Sequence, residues 1–257
     1  MNYGCCLISE SNDNTVIDLD ASVKNFPIVS LPLPTEGTII FKEATPLSDQ
    51  GSINSCVANA TGDAFEILMG LEGKAVQQIS RLFIYWNARL QNKTTDQDKG
   101  SFISLAMQGL VDYGVCREST WDYNHSLVFS QPNLIAYKEG DDNRAKNFYK
   151  IRTEGDDMLN DIIASLQAQH PVVFGVPVGQ DFEDYTGEEK IFDAPVKSLG
   201  NHALMIVGAD VEKKNFLIRN SWGDGWGLDG HCWFSAEYLT TAAQDLHVVT
   251  KMDDLLV

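Results

Sequence analysis

The spacing of apolar positions changes along the chain, from a helical period in the first half to strand-length runs in the second. From Val57 onward apolar residues recur three or four positions apart, which predicts a helix with Cys56 in its first turn. The same period predicts further helices at 76–90, 102–113 and 156–169. Apolar runs predict strands at 172–178, 203–209, 216–220, 232–234 and 247–251. Helices followed by strands indicate the α+β fold class.

Two regions lack either pattern. Residues 1–45 are expected to form an irregular arm, because Pro27, Pro32 and Pro34 favour extended backbone. Residues 120–150 are expected to form a loop, since they contain the polar run 139–143. We therefore divide the chain into the arm 1–45, a mainly helical lobe 46–150 and a mainly β lobe 151–257.

Charge excludes some classes of partner. The chain has 257 residues, enough for a sizeable core, with 36 acidic and 19 basic side chains and a net charge of −17. Such a protein repels nucleic acid and anionic lipid, so neither is expected as a partner. The sequence contains no apolar stretch of the roughly 18 to 20 residues that span a membrane, and no Sec-type signal.

The cysteines are few and odd in number: Cys5, Cys6, Cys56, Cys116 and Cys232. They form no disulfide framework, which favours the cytoplasm or another reducing compartment, although export without a Sec signal is compatible with the sequence. There is no C-x-x-C pair, so neither a metal site nor a cofactor is expected.

Cys56 has the setting of a nucleophile. Asn54 and Ser55 are good helix N-caps, and the free N–H groups and dipole of a helix N-terminus lower the pKa of a thiol. A lone cysteine is more often a small buried hydrophobe. However, His202 opens one predicted strand and Asn220 ends the next, which supplies a nucleophile, a base and an orienting group in that order. Separately, His202 could be a core histidine and Asn220 a strand cap.

Four blocks carry a resemblance to a known family: residues 49–60, 80–89, 201–203 and 219–227. Together and in this order they resemble the papain-like cysteine peptidases of the C1 family, and most closely the bacterial xylellain-like branch. The resemblance implies a helical lobe and an antiparallel β-barrel-like lobe with the active-site cleft between them.

The resemblance also implies roles. Cys56 and His202 would form a thiolate–imidazolium pair, Cys56 attacking a peptide carbonyl and His202 protonating the leaving amine. Asn220 would orient His202, and Trp222 would cover their hydrogen bond. The Gln50 amide and the Cys56 backbone N–H would bind the oxyanion.

Some positions depart from the family. Gly100 matches the first of two glycines that pair with substrate backbone, but Ser101 replaces the second. Ile53 replaces one cysteine of the family's usual disulfide, and residues 97–99 contain no cysteine for the other end. Asn54 replaces a glycine, which predicts crowding of the cleft.

The leading interpretation is an endopeptidase that acts on peptides or proteins, with an inhibitor protein as a second candidate partner. Alternatives are an exopeptidase, deamidase or transferase on the same scaffold, with residues 182–195 shaping the cleft, or a peptide-binding pseudoenzyme. Xylellain-like proteins have a short N-terminal segment along the cleft, so residues 1–30 are expected to cover it. In a sharper version, Cys5 or Cys6 forms a reversible disulfide with Cys56.

Overall fold

Helices and strands follow one another along the chain in the order expected of an α+β protein. The computed structural model describes residues 7–8, 23–24, 32–41, 46–73, 76–193 and 197–250. Its helices are α1 (Cys56–Leu71), α2 (Arg81–Gln91), α3 (Ile103–Asp112), α4 (Leu134–Asp141), α5 (Gly155–Gln167), α6 (Gln180–Glu183) and α7 (Ala236–Ala242). Its strands are β1 (Thr38–Ile40), β2 (Asn147–Lys150), β3 (Val172–Val178), β4 (Ile191–Phe192), β5 (Gly200–Asp210), β6 (Asn215–Arg219), β7 (His231–Ser235) and β8 (Gln244–Thr250).

The strands form one sheet in the order β2-β8-β3-β5-β6-β7-β4, with β1 also paired to β5. Neighbours are antiparallel except β4 and β7, which are parallel. In the β5–β6 ladder Met205 lies opposite Arg219. The antiparallel register therefore directs the chain after Arg219 back toward His202 at the start of β5.

Both faces of the sheet are buried. One face, which includes Val173 and Met205, belongs to the same apolar cluster as α1, α2 and α3. The other face, which includes Val172 and Leu204, packs with α5 and α7. Adjacent residues of β3 and β5 thus enter different clusters, which explains why these strands are apolar throughout. None of the helices in the described ranges has the length and apolar character that crossing a membrane requires.

The prediction of a loop at 120–150 is wrong, because this region contains helix α4 and strand β2. Asn133 caps α4, its side chain accepting a hydrogen bond from the Ala136 N–H at 2.9 Å. The helix has no apolar stripe, since Leu134 is 80% and Ile135 63% exposed, so its sequence shows no helical period. Strand β2 is only four residues long and is recognisable mainly by its pairing with β8.

The second helix also begins later than predicted. Residues 76–80 lie outside it, and α2 starts at Arg81. Ser80 is its N-cap, with the hydroxyl accepting from the Phe83 N–H at 3.1 Å. Ile79 instead forms an isolated bridge with Arg117. The apolar residues before Ser80 therefore pack as extended chain.

Part of the predicted irregular arm is regular. Strand β1 runs antiparallel to the end of β5, where Thr38 lies opposite Asp210 and Ile40 opposite Gly208. Sheet pairing therefore reaches back into residues 1–45. The proline argument missed this strand because it is only three residues long.

Candidate active site

Cys56 is the first residue of α1 and is fully buried. Ser55 occupies the N-cap position, but its side chain makes no capping hydrogen bond to the helix. Its hydroxyl instead pairs with the Tyr123 hydroxyl and accepts from the Asn59 side-chain amide at 3.0 Å. These contacts fix the backbone immediately before Cys56.

The loop that leads to Cys56 is hydrogen-bonded to the segment that follows Asn220. The Gln50 N–H donates to the Ser221 carbonyl at 2.9 Å, and the Gly223 N–H donates to the Ser48 carbonyl at 3.0 Å. Helix α1 packs against β5, the strand that carries His202. The fold therefore gathers Cys56, His202, Asn220 and Gln50 into one buried region.

His202 and Asn220 are joined by a hydrogen bond of 2.8 Å between Nε2 and Oδ1. The Ser221 backbone N–H also donates to Asn220 Oδ1 at 2.8 Å, which identifies that atom as the acceptor oxygen. Nε2 of His202 must therefore carry the hydrogen, and in the neutral ring Nδ1 holds the lone pair. Nδ1 is buried and has no hydrogen-bond partner within the described ranges.

Aromatic rings enclose this pair. The Trp222 ring stacks on His202 with ring centroids 4.8 Å apart, and Phe182 lies edge-on to both rings. Trp226, also buried, packs against Phe182 and donates its indole N–H to the Phe182 carbonyl at 3.1 Å. Burial lowers the pKa of His202 to about 4, although its hydrogen bond with Asn220 acts in the opposite direction. His202 is therefore neutral at pH 7.

The Gln50 side chain is held at both ends of its amide. Its Nε2 donates to the Ile53 carbonyl at 3.0 Å, and its Oε1 accepts from the Ser221 hydroxyl at 2.7 Å. The Tyr123 hydroxyl donates to the Gln50 carbonyl at 3.0 Å. The Ile53 carbonyl can only accept, so the amide nitrogen must face it, and this fixes the orientation of the amide.

Gly100 and Ser101 form an edge that pairs with another part of the chain. Ser101 forms a parallel bridge with Leu7, and its carbonyl accepts from the Ile8 N–H at 3.3 Å. The Leu7 N–H donates to the Asn201 carbonyl at 3.0 Å, next to His202. The Leu7 side chain fills the space above Gly175, where an added Cβ would lie 2.1 Å from Leu7 Cδ2.

Asn54 is held by the opposite loop. Its side-chain amide donates to the Asp98 carbonyl at 2.7 Å, and its backbone N–H donates to the Asp98 carboxylate at 3.1 Å. These bonds direct the Asn54 side chain to residue 98 of the 93–100 loop. Among the described residues, Cys56, Cys116 and Cys232 are not joined to one another by disulfides.

Two residues proposed from the sequence lie outside the described part of the chain, and three residues of the site were not predicted. Cys5 and Cys6 lie outside the described residues. Sequence reasoning did not find Ser221, Tyr123 or Asn201. Ser221 and Asn201 directly follow and precede the predicted Asn220 and His202, which is a usable signal, whereas Tyr123 has none. Within the described ranges, no group of three or more His, Cys, Asp or Glu side chains is placed to hold a metal ion.

Sequence comparison places this arrangement in a family. Residues 40–248 match the model described as papain family cysteine protease. A peptidase C1-like protein of Acanthamoeba polyphaga mimivirus is 30% identical over 220 residues, which cover 81% of this chain and 71% of that protein. Papain of Carica papaya is 26% identical over 198 residues, and the match covers 73% of this chain and 50% of the papain sequence.

Solved structures agree on the fold. Xylellain, a cysteine protease from Xylella fastidiosa, aligns with a TM-score of 0.82 at 24% identity and covers 97% of both chains. A Carica candamarcensis cysteine protease solved in complex with E-64 aligns with a TM-score of 0.63 at 21% identity, covering 85% of this chain and 99% of that one. The predicted papain-like α+β fold is confirmed, and the chain belongs to the papain family of cysteine proteases.

Proposed function

We propose that this cysteine peptidase cuts peptide or protein substrates internally through an acyl-enzyme on Cys56. The observation that carries the proposal is the Asn220–His202 hydrogen bond of 2.8 Å, which leaves Nδ1 of His202 as the ring's basic atom in the region where α1 packs. Cys56, at the start of α1, is the nucleophile that this base serves.

The chemistry follows from these positions. The Cys56 thiolate attacks the scissile carbonyl carbon, and the resulting oxyanion accepts hydrogen bonds from the Gln50 amide and the Cys56 backbone N–H. His202, protonated, then gives its proton to the leaving amine as the C–N bond breaks, which leaves a thioester. Neutral His202 next removes a proton from water, the hydroxide adds to the thioester, and Cys56 departs as the carboxylic product forms. Asn220 and Trp222 hold the imidazole in place throughout.

Labelling Cys56 tests this assignment. The protein is incubated with an epoxide inhibitor of cysteine peptidases under reducing conditions, and the adduct is located by mass spectrometry. We expect one adduct, on Cys56, and its loss in His202→Ala. Cys232→Ser is the matched control, because Cys232 is also fully buried. No adduct on either the full chain or the protein without residues 2–30, or an adduct on Cys56 that His202→Ala leaves unchanged, would contradict the proposal.

We further propose that the N-terminal residues 1–30 cover the cleft and restrict substrate access. The support is the pairing of Leu7 and Ile8 with the carbonyls of Asn201 and Ser101, which occupies the edge where a substrate backbone would bind. Leu7 also belongs to the same buried apolar cluster as Cys56. Opening the cover would return water to His202 and raise its lowered pKa, so that the imidazolium can form.

Removing residues 2–30 tests the cover. We expect kcat/KM for a peptide substrate to rise, and Leu7→Gly to raise it in the same direction, because the Leu7 side chain fills the space above Gly175. Leu134→Gly is the control, since Leu134 is 80% exposed on α4. Unchanged activity in both the truncated and the Leu7 proteins would rule the cover out.

A further inference from the structure

Asp98 joins two segments that are far apart in the sequence. Its carboxylate accepts from the Asn54 backbone N–H at 3.1 Å and from the Tyr85 hydroxyl at 2.7 Å. Its backbone carbonyl accepts from the Asn54 side-chain amide at 2.7 Å. Because Asn54 is two residues before Cys56, Asp98 holds the nucleophile loop through both backbone and side chain.

The connection continues from Tyr85 to the cleft edge. The Tyr85 hydroxyl accepts from the Gly100 N–H at 3.1 Å. Gly100 has a φ of +91°, a left-handed conformation that favours glycine, and it is followed by Ser101, whose carbonyl pairs with Ile8. The Tyr85 hydroxyl therefore donates to Asp98 and accepts from the Gly100 N–H at the peptide-pairing edge.

Tyr85 is well suited to this double role. It is fully buried on α2, and burial together with its hydrogen bond to Asp98 raises the pKa of its phenol far above the ordinary value. The hydroxyl therefore keeps its proton at any pH of interest. The Arg89 guanidinium lies 3.9 Å over the Tyr85 ring and donates to the Gln97 carbonyl at 2.8 Å, which supports the same loop.

A disulfide cannot connect the Cys56 loop to the loop of residues 97–99. Ile53 in the first loop has no thiol, and residues 97–99 in the second contain no cysteine. The hydrogen bonds of Asp98 with Asn54 and Tyr85 link the Cys56 loop to residues 98–101. Since a displacement of about 1 Å between a nucleophile and its substrate can cost about 100-fold in rate, the length of this link matters to catalysis.

We propose that Asp98 is a positioning residue that sets the separation between the Cys56 loop and the peptide-pairing edge at Ser101. The inference rests on the proposed function, because it needs Cys56 to attack a peptide aligned along that edge. Asp98 acts through Asn54 on one side and through Tyr85 and Gly100 on the other. A link made of hydrogen bonds also keeps its length under reducing conditions, where a disulfide would open.

Substrate length is the test. The full chain and Asp98→Ala are assayed with a three-residue peptide amide, which reaches the Ser101 edge, and with a single-residue aryl ester, which does not. We expect Asp98→Ala to lower kcat/KM for the peptide about 10- to 100-fold and for the ester by less than about threefold. Alkylation of Cys56 by iodoacetamide should keep its rate and pH profile.

Companion variants separate positioning from folding. Tyr85→Phe removes only the hydroxyl from a buried ring and should reproduce the selective loss on the peptide. Asp98→Asn keeps one side-chain oxygen and should lie between the wild type and Asp98→Ala. Asp96→Ala, an exposed acid in the same loop, should leave both substrates unaffected. Equal losses on both substrates, or no loss on the peptide, overturn the role of Asp98. A protein that cleaves neither substrate, both as the full chain and without residues 2–30, overturns the proposed function itself.

Discussion

At the scale of single residues, the side chain of Gln50 shows how tightly this site is held. The Ile53 carbonyl and the Ser221 hydroxyl bind the two ends of its side-chain amide, and the Tyr123 hydroxyl binds its backbone carbonyl. An amide fixed in this way needs no reorganisation when charge develops on a substrate oxygen, which is the condition under which an oxyanion donor contributes most.

We predict that Gln50→Ala lowers kcat about 100-fold with little change in KM, because the lost interaction forms only in the transition state. Steady-state kinetics with the three-residue peptide amide measure this. Gln77→Ala, at an exposed glutamine, is the control and should behave as the wild type. A kcat within about threefold of the wild type would remove Gln50 from the oxyanion site.

His202 makes stability depend on pH. Burial lowers its pKa from 6.5 to about 4, so between these values the unfolded chain binds a proton that the native state does not. The contribution of the neutral His202 to stability is therefore fully present above pH 6.5 and is lost as pH falls toward 4. We predict that the free energy of urea unfolding drops by about 2–3 kcal/mol more in the wild type than in His202→Gln between pH 7 and pH 4.5. An identical drop in the two proteins would contradict the neutral, buried imidazole.

Cys56, His202 and Asn220 could be picked out from the sequence because each begins or ends a strongly patterned element. Their roles stay predictions until the labelling experiment is done. The contacts of Ser221 and Tyr123 with Gln50 could not be predicted, since they form only after the loop before Cys56 has folded against two other segments. Ser221 is at least marked by its place next to Asn220, whereas Tyr123 has no signature in spacing.

At the scale of elements, burial decided which predictions held. Helix α1 and strands β3, β5 and β6 were predicted well because each is mostly buried and carries a long apolar pattern. Helix α4 and strand β2 were missed because they are short and partly exposed. Apolar spacing reports which face of an element is buried. It therefore does not predict elements that are stabilised mainly by a helix cap or by pairing at a sheet edge.

Asn54 gives the same lesson in reverse. Its side chain was expected to crowd the cleft, because it replaces a glycine of the family pattern that this sequence resembles. In the structure that side chain instead donates a hydrogen bond to the Asp98 carbonyl. Residues 97–99 also depart from the family pattern, since they contain no cysteine. The two departures are far apart in the sequence, and only the fold shows that they are in contact.

At the scale of the whole molecule, a buried group of charges joins the helices to the sheet. Asp63 on α1 accepts from Arg219 Nε at 2.8 Å and also from Arg81, which in turn pairs with Glu66. All four side chains are buried. Arg219 immediately precedes Asn220, so this group links the helix that begins at Cys56 to the strand that leads to Asn220.

Asp63 is the member on which both arginines depend. Burial raises the pKa of its carboxyl, but attraction and hydrogen bonds from Arg219 and Arg81 outweigh burial and hold the pKa below its usual value. Removing this carboxylate leaves two buried guanidinium groups short of a counter-charge. We predict that Asp63→Ala lowers the free energy of unfolding at pH 7 by about 3–5 kcal/mol, the cost typical of breaking a buried ion pair.

Urea unfolding followed by tryptophan fluorescence and by circular dichroism measures this loss, with Asp96→Ala as an exposed control that should change stability by less than about 0.5 kcal/mol. Because Asp63 joins α1 to Arg219 at the end of β6, the variant should also lose the coincidence of the two signals, the region around Trp222 and Trp226 unfolding apart from the helices. A loss below about 1 kcal/mol with coincident transitions would show that the helices and the sheet are coupled through their apolar contacts rather than through Asp63.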